Sequence, residues 1–247
     1  SLIHQYSIFL GTYNIEFLAE VDSTNAYLRK KAAMHLLPAE YAVSASMQLR
    51  GKGQHGKVWD SQPYVNVTTS FIVKNPGKIN ELSWINSAAA MAIVQALAHY
   101  RLTKASIKWP NDVYVGDRKI GGILTENIVV NGQVATSVVG IGVNVNQLKF
   151  GNYAATSLAA VTGVETDITA FLHTLYDCFY AQIIRSKEEL LHAVNQRLYK
   201  KEENVIFEHE GRTITCTVKC LLKNGNLAIM DGKQWLEIEH HKTKWIK

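Results

Sequence analysis

The stretch Gln48-Leu-Arg-Gly-Lys-Gly-Gln-His-Gly-Lys-Val-Trp59 interleaves three glycines, Gly51, Gly53 and Gly56, with Arg50, Lys52 and Lys57, and contains no acid. Glycines let a backbone come close to an anion, and the cations then neutralise it. The plainer outcome for such a string is a solvated basic loop. Gly51 to Lys57 also fits G-x-x-x-x-G-K, the phosphate-cradling P-loop. That fit fails at the next position, where Val58 replaces the Ser or Thr whose hydroxyl would hold Mg²⁺. Pro63 would also end the helix that should follow.

Three further segments combine polar groups with glycine. In Ile107-Lys-Trp-Pro-Asn-Asp112 a strand ends at Trp109, Pro110 turns the chain, and Asn111 and Asp112 present an amide and a carboxylate. Pro-Asn-Asp is also good chemistry for an ordinary polar turn, but alternation puts Lys108 near the sheet's end as well. Lys119 precedes an apolar strand containing Gly121-Gly122, and Gly140-Ile-Gly-Val-Asn144 again sets glycines in a strand before an amide. Paired glycines in a strand cost stability and mark close approach by a ligand or another backbone. A lysine at a strand end is ordinarily a solvated surface group; the adjacent glycine pair makes Lys119 the strongest single candidate for chemistry.

The elements that must position these groups are legible. Asp22 or Ser23 can cap a helix running through Ala26, Leu28, Ala32 and Ala33. Trp84 to Leu102 reads as a buried helix, and Asp167 to Tyr199 as two helices broken near Arg185–Glu188. Val65, Val67, Thr69, Phe71 and Val73 alternate as in a half-buried strand. Arg118 to Val130 and Gln133 to Val145 flank Asn131-Gly132, a strong hairpin signal, and Gly116-Asp117 marks a tight turn before them. Helices mixed with antiparallel hairpins predict an α+β catalytic domain with a mixed β-sheet over residues 1–199, not a doubly wound parallel one. From Asn204 onward, short strands separated by Glu210-Gly211, Asn224-Gly225 and Asp231-Gly232 predict a small all-β barrel, a second domain over residues 200–247.

Composition narrows the class. A hydrophobic fraction of 47% with 19% charged residues over 247 residues suits a globular chain with a core of its own. The net charge of +5 is not gathered into the dense basic runs of a nucleic-acid binder. The longest apolar run, Ala88 to Val94, is far short of the roughly 20 residues that span a bilayer, and His4, Gln5 and Ser7 interrupt any signal peptide. Three cysteines, Cys178, Cys216 and Cys220, make no disulfide framework and point to a reducing, cytoplasmic setting. Cys216 and Cys220 have no His or Cys partner at zinc-finger spacing and read as core or surface thiols, while the pair His240-His241 beside the basic tail is a minor candidate for a metal site.

Taken in order, Asp22-Ser-Thr-Asn25, the basic Gly-rich loop, Lys-Trp-Pro-Asn-Asp112, Arg118-Lys-Ile-Gly-Gly-Ile-Leu-Thr-Glu126 and Gly-Ile-Gly-Val-Asn144 resemble the biotin protein ligase family. The resemblance covers nearly the whole chain, and Lys-Trp-Pro-Asn-Asp followed seven residues later by the Lys119 segment is its most specific part. It implies that biotin and ATP are joined into biotinyl-5′-adenylate and that the biotinyl group passes to a lysine of a biotin carboxyl carrier domain of a carboxylase. It places Ser23, Thr24, Asn25, Gln48, Gly51, Lys52, Gly53, Gln54, Trp59, Lys119, Gly122, Gly140 and Gly142 around biotin. Lys57, Lys108, Asn111, Asp112, Lys119 and Asn144 fall around ATP, with Lys119 and Lys57 the catalytic cations and Asp112 toward Mg²⁺.

The loop departs from the family's usual Gly-Arg-Gly-Arg, with Lys52 and Gln54 at the arginine positions. Lysine lacks arginine's bidentate fork and glutamine lacks charge, so retention of biotin or adenylate weakens unless Arg50 and His55 compensate. The resemblance further implies an SH3-like C-terminal barrel, a short form without an N-terminal DNA-binding domain and hence no specific DNA partner, and sheet edges through which a homodimer or carrier domain can pair. The chemistry suits the residues: a carboxylate attacking the α-phosphate brings negative charge onto negative charge, which calls for positioning and cations rather than a protein nucleophile. A loop closing over the labile acyl phosphate is also expected, with Gly51, Gly53 and Gly56 as hinges. A lipoate or octanoate ligase or transferase of related fold is the rival reading.

Overall fold

The computed structural model describes residues 13–34, 36–78 and 82–246. Seven strands form the larger sheet: β1 (Ile15–Val21), β2 (Ala42–Gln48), β3 (Val67–Lys74), β4 (Ala105–Lys108), β5 (Asp112–Val115), β6 (Arg118–Val130) and β7 (Gln133–Val143). Their order is β1-β2-β3-β7-β6-β5-β4, and only β1 and β2 run parallel. The sheet is therefore mixed, as the pattern of hairpins requires. Asn131 and Gly132 both adopt positive φ between β6 and β7, the conformation that Asn-Gly favours in a two-residue hairpin.

One face of this sheet is covered by α2 (Ser83–His99) and α4 (Ile168–Ile183). The α2 segment is alanine-rich, so it lies close to the strands, and Phe71, Phe171 and Phe179 fill the remaining space without exposure. Phe71 stacks on Phe179 with centroids 4.4 Å apart. Burying each such ring is worth roughly 1.5–3 kcal/mol. Asp167 caps α4 by accepting from the Ala170 amide, and Ser186 caps α5 (Lys187–Gln196) by accepting from Glu189. The break thus falls at 184–186, where the apolar pattern gives way to Arg185-Ser186. A one-turn helix, α3 (Leu158–Thr162), lies between β7 and α4.

The other face carries only α1 (Thr24–Met34), which covers part of the sheet around Leu28 and Val43. Of the two expected caps, Ser23 faces the Ala26 amide at 3.5 Å while Asp22 pairs with Arg50. With helices on both faces, β3 is buried from Val67 through Val73. The half-buried strand expected from its alternation is corrected: Thr68 and Ser70 point to the α1 side, where their hydroxyls are bonded.

A buried ionic cluster seats α1. Glu16 on β1 is 2% exposed and accepts from Lys31 at 2.6 Å, Tyr41 at 2.8 Å and Tyr27 at 2.9 Å. Burial alone would raise its carboxyl, but the bonds from Lys31, Tyr41 and Tyr27 outweigh that and hold it below the usual range. The cluster clamps the helix whose first turn carries Ser23, Thr24 and Asn25.

The C-terminal strands, β8 (Asn204–His209), β9 (Arg212–Leu221), β10 (Leu227–Asp231), β11 (Gln234–Ile238) and β12 (Thr243–Trp245), form a second sheet in the order β11-β10-β9-β8-β12. The small all-β unit expected here is present as this antiparallel sheet, and its edge strands β11 and β12 do not pair, so the barrel is not closed. This sheet is tied to the helices by Asn195, which bonds both backbone groups of Leu221 (2.7 and 3.0 Å). It is tied to the β4–β5 turn by two tryptophans: Trp245 Nε1 donates to the Trp109 carbonyl at 2.8 Å, and Trp109 Nε1 donates to the Gly225 carbonyl at 2.9 Å.

Candidate functional site

The uncovered part of the α1-side face floors a cavity of about 1020 Å³. Three glycines, Gly122, Gly140 and Gly142, leave the middle of this floor without side chains. Asp112, Gly122, Gly142, Thr68 and Ala45 form one row across five strands, and Gly140 pairs with Ser70 in the next row on the same face. What the glycines admit is side chains of the chain itself: a Cβ at Gly142 would fall inside the Trp59 indole, and one at Gly140 inside the Asn25 amide. At Gly122 it would press on Trp59 at 3.0 Å and on Lys119 at 3.1 Å.

Asn25, Thr24 and Gln48 form one bonded group at the inner end. Asn25 donates to the Leu124 carbonyl at 3.0 Å and to Glu126 at 2.9 Å, which fixes its amide orientation. The Thr24 amide and hydroxyl both donate to Gln48 Oε1, at 2.8 and 3.1 Å. Ser70 Oγ lies 2.8 Å from Thr24 Oγ1 and 2.6 Å from Asn25 Oδ1, and its single proton can serve only one of them. A ligand with urea-like donors and acceptors would meet prearranged partners here.

The basic loop arches over the floor as a small hairpin. Lys52 bridges Val58, Gly53 N donates to the Lys57 carbonyl at 2.7 Å, and Gln54–Gly56 forms a single 3₁₀ turn. Only Gly56 of its three glycines needs a positive φ. Gly51 is the one expected site residue outside the cavity lining: it is buried, and a Cβ there would lie 2.5 Å from the Trp59 carbonyl. It lets the loop close on itself. Arg50, which could have made up for the fork absent at Lys52 and the charge absent at Gln54, is exposed, outside the lining and paired with Asp22.

The cavity lining as a whole carries six lysines, Lys52, Lys57, Lys108, Lys119, Lys149 and Lys244, against the carboxylates Asp60 and Asp112, and at its outer end Lys57 and Lys119 lie near enough to repel the Lys108 charge. Lys119 Nζ lies 2.6 Å from Asp112 Oδ1 and 5.5 Å from the Trp59 ring centroid. Burial pushes the Lys108 ammonium below its ordinary range, against the pull of Asp112 and Asp117. Burial likewise raises the neighbouring Tyr114 hydroxyl to about 12. Asn111 and Asn144 line the cavity, and each donates one amide proton, to the carbonyls of Ile123 and Thr156 at 2.8 and 3.0 Å.

The structure thus brings every expected site residue except Gly51 to one cavity. Reading the sequence missed the wall: Gln147, residues 149–151 and 153–155, and His240, His241, Thr243, Lys244 and Trp245 from the C-terminal unit. His241 pairs with Glu239 at 3.0 Å, and no cluster of three or more metal-binding side chains exists among the described residues. No described helix is long and apolar enough to cross a membrane.

A mixed sheet with a glycine floor, a polar inner end and a cationic outer end defines an α+β protein built to bind a small molecule beside an anion. Residues 17–144, half of the chain, match the family model described as the biotin/lipoate A/B protein ligase family. The chain is 32% identical over 170 residues to the biotin–[acetyl-CoA-carboxylase] ligase of Paracoccus denitrificans, covering 66% of this chain and 70% of that protein. It is 32% identical over 150 residues to the bifunctional ligase/repressor BirA of Bacillus subtilis, covering 58% and 45%. The chain spans about half the length of the Bacillus relatives it matches. Among solved structures, the biotin protein ligase of Aquifex aeolicus in complex with biotin and ATP superposes with a TM-score of 0.80 at 26% identity, covering 94% of this chain and 97% of that one. The chain belongs to the biotin/lipoate A/B protein ligase family.

Proposed function

We propose that the chain is an ATP-dependent biotin–[acetyl-CoA-carboxylase] ligase, which makes biotinyl-5′-AMP and passes the biotinyl group to a lysine of a biotin carboxyl carrier domain. The observation that carries this reading is the single cavity that joins a prearranged amide-and-hydroxyl group at one end to a cluster of lysines at the other. The Thr24, Asn25 and Gln48 end suits the ureido ring, the glycine floor with Trp59 suits the apolar ring and tail, and Lys119 suits the carboxylate and α-phosphate between them. Lys57 faces the departing pyrophosphate from the loop. Each cation stabilises charge that grows as the carboxylate oxygen bonds to phosphorus and the pyrophosphate leaves.

The residues also fit a magnesium ion. One carboxylate beside incoming phosphates is a common setting for Mg²⁺, and Asp112, which pairs with Lys119 at 2.6 Å, would be the residue to hold the ion once Lys119 turned to the phosphate. When bound, the ion supplies further neutralisation of phosphate charge. The residues 1–199 and 200–247 act in this reading as a catalytic unit and an appended one that closes its wall.

Biotin-dependent exchange of labelled pyrophosphate into ATP, with lipoate as control, tests the proposal. Exchange with biotin and its loss in Lys119→Ala are expected. Exchange with lipoate alone, or a Lys119→Ala protein with near-normal exchange, overturns it.

A further inference from the structure

Lys108 is held by rings drawn from three places in the chain. Its Nζ lies 4.5 Å from the Tyr114 centroid, 5.0 Å from Trp245 and 5.2 Å from Tyr199, with the Tyr114 hydroxyl at 3.4 Å. Among the described residues no carboxylate stands within ion-pair distance of it; Asp112 pairs with Lys119, and Asp117 with Lys200. Rings attract a cation through their quadrupoles without cancelling its charge. A lysine held by carboxylates would arrive neutralised, whereas one held by rings still has its whole charge to give to an anion.

The Trp245 ring comes from the last strand of the C-terminal sheet. It is fixed by its bond to the Trp109 carbonyl, by Phe207 at 4.4 Å and by Tyr199 at 5.7 Å. Tyr199 is held in turn by Asp117 at 2.6 Å. The strand that reaches across to the turn beside Lys108 therefore also sets where its ammonium lies.

We propose that Trp245 is a positioning residue for Lys108, through which the C-terminal sheet holds an unneutralised cation at the phosphate end of the cavity. This rests on the ATP-dependent reading above, and it extends that reading to a residue of the second sheet that acts through another side chain.

The test compares the full-length protein with Trp245→Leu, Trp245→Phe, Lys108→Met and the Lys108→Met/Trp245→Leu double variant. ATP affinity is read by calorimetry, and the KM for ATP and kcat by pyrophosphate exchange. Losing one good cation–π contact should weaken ATP binding by roughly tenfold in Trp245→Leu. Trp245→Phe should restore most of it, and in the Lys108→Met background Trp245→Leu should change nothing further. Equal losses with and without Lys108 would mean that Trp245 touches the nucleotide or only supports the fold, and would overturn the proposal. A second readout needs no destabilised variant. With lysines ¹³C-dimethylated, the Lys108 signal, assigned by its absence in Lys108→Arg, should lie upfield under the ring currents; a signal at the position of exposed lysines overturns the proposal as well. If the unaltered protein bound no ATP, the ligase reading would fail while the methyl signal still reported on the ring box.

Discussion

Replacing Glu16 by Gln tests whether the buried ionic cluster seats α1. The substitution keeps the side chain's shape and an acceptor for one tyrosine, but leaves the Lys31 ammonium, only about a quarter exposed, facing a neutral amide. Removing one partner of a buried pair costs roughly 3–5 kcal/mol, and the partial exposure of Lys31 argues for the lower end, about 3 kcal/mol. In a chain of this length that lowers the melting temperature by roughly 6–12 °C. The pH dependence has a definite sign. Folding lowers the Glu16 carboxyl below its ordinary value of 4.5, so its stabilisation is complete above that value and is lost as pH falls through the lower folded value. The melting gap between the two proteins should therefore stay constant from neutral pH down to about 5 and shrink below it. Because α1 presents Thr24 and Asn25, the KM for biotin should rise as well. Calorimetric melting from pH 7 to pH 3 measures the gap. A gap under about 0.5 kcal/mol, the range of ordinary surface substitutions, or one that widens in acid, would refute the reasoning.

Two further outcomes follow from the site. Gly142→Ala places a methyl group inside the Trp59 indole; it should cost about 1–3 kcal/mol as overpacking and shift Trp fluorescence as the ring leaves the floor, whereas an unchanged spectrum would show that the floor is not this tight. Amide exchange across residues 48–58 should slow when biotin and ATP are added together, because the loop would close over the acyl phosphate; exchange unchanged by both would leave the loop without that role.

The fold was largely legible where local chemistry decides it. Asn131-Gly132, the Ser186 break and the glycine-bearing strands β6 and β7 follow from residue types a few positions apart. The alternation in β3 misled, because Ser70 beneath α1 and Thr68 beside it on the cavity floor resemble a solvated face until their bonded partners are known. The site was legible to the extent that glycine in a strand demands a reason, although here the reason was the Asn25 and Trp59 side chains. Glu16 reads as a surface acid, since its partners lie 11, 15 and 25 residues away. The wall from His240 to Trp245 carries no local signal, for its placement depends on contacts that only the folded chain makes.

The bond from Trp245 to the Trp109 carbonyl spans 136 residues. As the chain emerges from a ribosome, all seven strands of the larger sheet can pair long before that bond is possible, since folding proceeds from the N-terminal side. A nascent chain paused within the second sheet would then hold a finished floor with its cationic end open to water, so completion of the pocket is timed by synthesis of the last strand.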